Sequence, residues 1–226
     1  MKKLHFFVLS LFTIFTLVSC DNWLNVEQDP SNHIYYTAST LIYDPSGEYI
    51  FITDDNLKLV PTTKLTIPEA QKDTLLNKRY YISFQIKNQN DKEYSINLLS
   101  MQMMTQNSII EINHNDSIEN YKNELLNIKN IWISSNYLNI ITEVQGSGSI
   151  LHNYNMLHNP NIQSDTLYLT LRYDNNGDAK TYSFQQAIYY DINNYLTNQK
   201  DSTTICFKYN SGYLEYNTLY LKTASK

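Results

Sequence analysis

Two serines and two histidines lie close together in the segment 145–160 and are the first candidates for chemistry. Ser147 and Ser149 stand beside glycines in QGSGSIL, and His152 and His158 follow in LHNYNMLHNP. A serine nucleophile needs a G-x-S-x-G turn between a strand and a helix, which this segment lacks. The two histidines are six residues apart, a spacing that fits neither common zinc signature. We therefore expect loop residues here, with no metal and no cofactor.

Paired carboxylates are the second candidates. Glycoside hydrolysis needs two carboxyl groups on either side of a sugar bond, and the chain has Asp54-Asp55 and the pair Asp174 and Asp178. Both pairs lie in turn-like segments, where aspartate bonds to nearby backbone groups. We expect turns and no catalytic residues. The alternative is an envelope enzyme acting on glycans, with the segment 145–160 as its site.

Cys20 ends an N-terminal segment with the layout of a secretory signal. Two lysines come first, and the apolar run that follows is shorter than the ~20 residues of a membrane-spanning helix. The residues LVSC resemble a bacterial lipobox, in which the cysteine is lipidated and becomes the new N-terminus. We expect residues 1–19 to be a signal peptide. Residues 20–33 would be a tether attached to the membrane through acyl chains on Cys20.

The charge and the second cysteine exclude two further classes. Loss of two lysines with the signal changes the formal net charge from −5 to −7, and the chain is poor in arginine. Nucleic acid is therefore not expected as a partner, because phosphate binding needs clustered lysine and arginine. If Cys20 is acylated, Cys206 has no partner for an intramolecular disulfide. Its strand-like surroundings favour a half-buried structural thiol.

Apolar and polar residues alternate with a period of two along most of the chain, which predicts strands. The segment 165–191 predicts a hairpin, because Asn176-Gly177 suits a turn that needs positive φ at both central residues. Folding the chain there places Leu171 opposite Tyr182. The polar segment 113–130 has no such alternation and predicts a connection with a short helix between two small β-domains.

Four aspartates are followed by serine or threonine and then an apolar residue or threonine, as in Asp73-Thr74-Leu75. This pattern resembles the acceptor for periplasmic O-glycosylation in some Gram-negative anaerobes. Four candidate acceptors follow, and intact mass before and after deglycosylation would test them: Thr74, Ser117, Thr166 and Ser202.

Four segments together resemble the NigD-like lipoproteins: DDNLKLVPTT, LLNKRYYISFQI, IWISSNYLNIITEVQGSG and DTLYLTLRYDNNGDA. The resemblance extends from about Ile34 to Leu221. It implies an all-β protein, with a small OB-type barrel at 34–114 followed by an antiparallel β-sandwich at 115–226. Asn56 and Asn77 stand where the family often has glycine, so a positive φ is expected at both.

The expected function is a non-enzymatic binding role in the cell envelope, at the outer membrane of a Gram-negative bacterium. The partners would be the membrane, through the lipid anchor, and a protein or a glycan. A platform for such a partner would consist of exposed tyrosines, for which the candidates are Tyr35, Tyr36, Tyr189, Tyr190 and Tyr195. The resemblance also implies a second alternative, a bacteriocin-associated immunity or accessory factor.

Overall fold

The structure is a computed structural model that describes residues 33–90, 92–113, 118–160, 166–196, 203–212 and 217–222. The predicted signal peptide and most of the tether lie outside these residues. No helix in the described part of the chain is long and apolar enough to span a membrane.

The first five strands close into a barrel in the order β1-β2-β3-β5-β4. The pairing of β3 with β5 is parallel, and the other four pairings are antiparallel. A 3-10 turn at Glu69–Gln71 and the short helix α1 at Lys72–Leu75 lie between β3 and β4. The strands are β1 Tyr35–Tyr43, β2 Tyr49–Thr53, β3 Lys58–Pro61, β4 Arg79–Asn90 and β5 Glu93–Met103.

Alternation along β4 fills the barrel core as the sequence predicts. Tyr80, Ile82 and Phe84 point inward and pack against apolar residues of the other strands. The two asparagine turns are also confirmed, since Asn56 has φ 60° and Asn77 has φ 58°. Asparagine tolerates this left-handed conformation better than most residues with a side chain.

The remaining strands form a sandwich of two sheets, with the orders β14-β13-β11-β10-β7 and β6-β12-β9-β8. They are joined by a 3-10 turn at Ile118–Asn120 and the helix α2 at Asn193–Leu196, among other connections. The strands are β6 Thr105–Asn107, β7 Ile109–Glu111, β8 Asn127–Ser134, β9 Tyr137–Gly146, β10 Asn153–His158, β11 Thr166–Asp174, β12 Tyr182–Asp191, β13 Thr204–Tyr209 and β14 Asn217–Lys222.

The all-β class is confirmed, but the sandwich expected to be antiparallel has mixed sheets. Three of its pairings are parallel, namely β7 with β10, β6 with β12, and β11 with β13. The chain leaves the barrel through β6 in one sheet and then enters the other sheet as β7. Residues 105–111, which precede the predicted boundary after residue 114, thus supply an edge strand to each sheet of the sandwich.

The predicted hairpin at 165–191 is wrong in its pairing and right in its turn. Asn176 and Gly177 have φ 56° and 73°. However, Leu171 of β11 lies opposite Met156 of β10, and Tyr182 of β12 lies opposite Gly146 of β9, in the other sheet. Alternation determines only which face of a strand meets the core. Two strands can turn their apolar faces to the same core either as neighbours in one sheet or as members of two facing sheets.

Arg79, at the start of β4, joins the barrel to the sandwich. Its guanidinium donates to both carboxylate oxygens of Asp54 at 2.6 and 2.9 Å, and to Oδ1 of Asn139 in β9 at 3.0 Å. The Cζ atom lies 3.9 Å from the ring centre of Tyr137 and 5.1 Å from that of Tyr189. The Arg79 side chain is 5% exposed, so a charged pair is buried where the two domains meet.

Further contacts join the barrel and the sandwich around Arg79. Asp54 also accepts a hydrogen bond from the hydroxyl of Ser134, in β8. Tyr81 of the barrel packs against Trp132 of β8, with ring centres 5.8 Å apart. The buried apolar residues around them are Ala38, Met104, Ile141 and Ala187.

We predict that Asp54→Ala lowers the free energy of unfolding by about 3–5 kcal/mol, because it leaves a buried guanidinium without its carboxylate. Urea unfolding followed by tryptophan fluorescence measures the loss. The matched control is Lys122→Ala, which breaks the ion pair of an exposed lysine with Asp174 and should cost no more than about 1 kcal/mol. An equal loss of unfolding free energy in the two variants would contradict the large contribution that we assign to the ion pair between Arg79 and Asp54.

Candidate functional site

A groove of about 1050 Å³ opens at one end of the sandwich. One wall consists of the segment 123–127 with the ends of β11 and β13. The other consists of the last residues of β9, with Ser183 of β12 and the nearby Lys180. Most of the side chains that line it are polar.

Backbone hydrogen bonds hold the segment 123–127 in place. The amide of Glu124 donates to the carbonyl of Tyr173 at 2.9 Å, and the amide of Leu126 donates to the carbonyl of Asn210 at 2.9 Å. The side-chain amide of Asn210 in turn donates to the carbonyl of Asn123 at 2.7 Å. A segment that the sequence suggests is only a connection is therefore a fixed wall.

The charged residues of the groove differ in whether they are neutralised. Glu143 accepts from Lys129 at 2.8 Å and from the side-chain amide of Asn127 at 2.9 Å. The hydrogen bond from Lys129 is the main reason why the pKa of Glu143 is lowered. Glu124 and Lys180, by contrast, form no ion pair with any described residue.

A buried polar cluster lies beside the groove. The carboxylate of Asp178 accepts from the hydroxyl of Ser147 at 2.5 Å and from its backbone amide at 2.9 Å. His152 Nε2 lies 3.1 Å from the same carboxylate, and His152 Nδ1 lies 2.7 Å from the hydroxyl of Tyr173. With Nε2 donating to Asp178, Nδ1 accepts from Tyr173, and every group in the cluster is satisfied.

This cluster has the residue types of a hydrolase triad but not its connectivity. In a triad the histidine stands between serine and carboxylate, so that it can take the serine proton. Here Asp178 stands between Ser147 and His152, so the histidine does not contact the serine hydroxyl and cannot take its proton directly. The cluster instead ties the loop after β9 to the connection that leads into β12.

Gly146 and the electrostatics of the cluster support a structural role. A Cβ atom on Gly146 would lie 2.3 Å from Oδ2 of Asp178, so a side chain there would displace the carboxylate. Hydrogen bonds from Ser147, with a further contribution from His152, lower the pKa of Asp178. Burial raises the pKa of Tyr173.

The structure does not bring the other candidate residues to this site. Asp54 belongs to the domain interface, and Asp174 accepts from the backbone of Asn176 at 2.8 Å, as turn chemistry predicts. His158 was expected in a loop but ends β10, where its Nδ1 lies 3.2 Å from the carbonyl of Tyr168. Cys206 is fully buried in β13. Within the described residues, no group of three or more His, Cys, Asp or Glu side chains could hold a metal ion.

Two of the five tyrosines proposed for the binding platform are not exposed. Tyr190 is buried in the sandwich core, and Tyr189 lies at the domain interface beside Arg79. Tyr36 is exposed, but it stacks on Tyr81 of the barrel. Period-two alternation marked these tyrosines as strand residues without showing which face would be covered.

The predicted modification sites are only partly within the described residues. Thr74 is exposed in α1, whereas Thr166 is half-buried at the first position of β11. Cys20, Ser117 and Ser202 lie outside the described part of the chain. All five sites remain predictions.

The fold defines a class of protein in which a closed five-stranded barrel is joined to a two-sheet sandwich. The family described as NigD-like C-terminal beta sandwich domain matches residues 108–223, just over half of the chain. The chain belongs to the NigD-like family, and the resemblance seen in the sequence is confirmed.

Solved structures with the same fold come from species of Bacteroides. A protein of unknown function from Bacteroides vulgatus aligns with a TM-score of 0.67 at 19% identity, over 84% of this chain and 91% of that one. A NigD-like immunity protein from Bacteroides caccae aligns with a TM-score of 0.56 at 18% identity, over 85% of this chain and 93% of that one. A putative lipoprotein from Bacteroides fragilis aligns with a TM-score of 0.56 at 14% identity, over 86% of this chain and 100% of that one. None of the curated proteins matches the chain.

We predict that Asp178→Asn is less stable than the wild type at pH 7 and that the difference shrinks by pH 3. The pKa of Asp178 is below its ordinary value of 3.8, so its contribution is present above that value and is lost as the pH falls through the lowered pKa. Urea midpoints at the two pH values measure this, with Asp55→Asn, an exposed aspartate in another turn, as the control. A difference that is the same at both values would contradict the prediction.

Proposed function

We propose that this protein is a lipid-anchored component of the cell envelope that binds a partner through the groove and performs no catalysis. The proposal rests on a contrast between two sets of polar side chains at the sandwich end. Ser147 and His152 are both hydrogen-bonded to Asp178. Glu124 and Lys180, by contrast, line an open groove and form no ion pair with any described residue. Such a site is equipped to hold a ligand and lacks an activated nucleophile.

The location rests on the N-terminal segment. The lipobox-like LVSC and the signal-like residues before it support attachment through Cys20 to the outer membrane of a Gram-negative bacterium. A structural neighbour from Bacteroides fragilis is described as a putative lipoprotein, in agreement with this proposal.

We further propose that the barrel is of the OB type. Its support is the strand order, the parallel pairing of β3 with β5, and the helix between β3 and β4. OB barrels often bind ligands on a sheet face. In this protein part of the outer barrel surface, at Ala38 and Tyr81, packs against the sandwich. The proposed ligand site is therefore the sandwich end.

A bacteriocin-associated immunity role is the second candidate. It is favoured by the structural neighbour described as a NigD-like immunity protein. Deletion of the gene followed by a measurement of bacteriocin sensitivity separates this role from a general binding function. A glycan-cleaving enzyme is the weaker alternative, because it needs two carboxyl groups that face a substrate. Here Asp54 is paired with Arg79, and Asp178 is bonded to Ser147 and His152.

The O-glycosylation proposal can be narrowed. Thr74 is exposed in a short helix, whereas Thr166 is half-buried within a paired strand. An acceptor hydroxyl has to enter the active site of a transferase, so Thr74 is the better described acceptor of the two.

For the anchor, we predict that Cys20→Ala releases the protein from the membrane fraction or halts its processing, since no acyl chain can then be attached. Fractionation of the producing cells followed by immunoblotting measures this, and Cys206→Ala is the matched control because that thiol is buried in the sandwich. Membrane retention of a normally processed Cys20→Ala protein would contradict the anchor.

For the binding site, we predict that Ser183→Trp, which places a bulky ring in the groove, lowers the retained partner by about tenfold, equivalent to ~1.4 kcal/mol. The test is a pull-down of the tagged, lipidated protein from its own envelope. Thr218→Trp, at an exposed position of β14 outside the groove, is the control. Equal retention by both variants would place the partner elsewhere.

A further inference from the structure

The charges of the groove suggest what kind of ligand it takes. Glu124 lies on the wall that is bonded to β11, whereas Lys180 lies on the opposite wall, in the connection just before β12. The neighbouring charges are already matched, since Glu143 pairs with Lys129 and Asp174 pairs with Lys122. The groove therefore presents an anionic group on one wall and a cationic group on the other.

Amide side chains supply the remaining polarity. Asn123 lines the groove, although its Oδ1 is covered by the protein. Asn127 and Gln145 also line the groove. A carboxamide carries both a donor and an acceptor, so it can bond to the N–H and the C=O of a peptide group.

The aromatic residues of the groove argue against a sugar. Tyr173 and Tyr209 line it, but they are only 5% and 7% exposed. Recognition of sugars commonly uses an exposed ring on which an apolar sugar face can stack. These two rings are covered by their neighbours and leave no such face.

The size and polarity argue against a small apolar molecule. Pockets for such ligands are typically about 300–1,000 Å³ and lined mainly by apolar groups. This groove, at about 1050 Å³, slightly exceeds that range, is open to solvent and is lined mostly by polar side chains. An extended polymer that lies along the groove fits these properties better than an enclosed molecule.

We propose that the groove binds an extended peptide segment that carries one basic and one acidic side chain, and this rests on the binding role proposed above. The basic side chain pairs with Glu124, the acidic side chain pairs with Lys180, and the peptide groups bond to the exposed side-chain amides of Asn127 and Gln145. Complementary charges of this kind set the orientation and specificity of a bound partner.

The experiment is affinity selection of a random hexapeptide library on the immobilised full-length lipidated protein in detergent, with sequencing of the bound peptides by mass spectrometry. We expect enrichment of peptides that combine lysine or arginine with aspartate or glutamate. The best of them, resynthesised, should bind Glu124→Gln and Lys180→Gln at least about tenfold more weakly. They should also bind the wild type more weakly at high salt.

The two variants have different signatures. In the selection, Glu124→Gln should lose the enrichment of basic residues and keep that of acidic ones, and Lys180→Gln should do the reverse. The controls are Glu48→Gln and Lys64→Gln, two exposed barrel residues that change the net charge by the same amounts. Both controls should select the same peptides as the wild type.

Three results would overturn the inference: no enriched peptides, enriched peptides whose binding is unaffected by both groove variants, or binding of neutral oligosaccharides from a parallel panel in place of peptides. The envelope pull-down then identifies what has failed. If Ser183→Trp loses a partner that the wild type retains in the pull-down, the groove binds something other than a peptide and the proposed binding role stands. If Ser183→Trp retains every partner of the wild type, the proposed function fails as well.

Discussion

The rest of the structure depends on the buried ion pair between Arg79 and Asp54. A guanidinium removed from water has to be matched by a carboxylate with good geometry, and here it also lies against two tyrosine rings and donates to Asn139 of the sandwich. Its planar shape allows all of these contacts at once, which a lysine would not. Because its partners come from both domains, the barrel and the sandwich are held in one arrangement.

That arrangement decides which surfaces are available for binding. The outer side of the four-stranded sheet near Ile141 and Ala187 is covered by the barrel. None of the described residues covers the end of the sandwich where the groove lies, and the segment 123–127 before β8 forms one of its walls. The polar groove is therefore a consequence of how the chain crosses from barrel to sandwich as well as of the residues that line it.

The cluster next to the groove shows that residue types do not define a catalytic site. The serine hydroxyl and the histidine ring are each hydrogen-bonded to the aspartate, so the carboxylate occupies the central position. A carboxylate in that place holds two loops together and orients the histidine toward Tyr173. Function at this end of the molecule is better sought in the groups whose charges are left facing solvent.

The sequence by itself determined the all-β class, the family, most strand positions and the left-handed turns at Asn56, Asn77 and Asn176, because alternation and turn chemistry are local properties of the chain. It did not determine strand neighbours, and the expected hairpin between β11 and β12 is divided between two sheets. His152 and Asp178, 26 residues apart, meet only in the folded chain, and only there do Glu124 and Lys180 line the same groove. A period of two reports which face of a strand is buried, whereas the partner across that face is chosen by long-range packing. Tertiary structure alone therefore decided the interface at Arg79 and the composition of the groove.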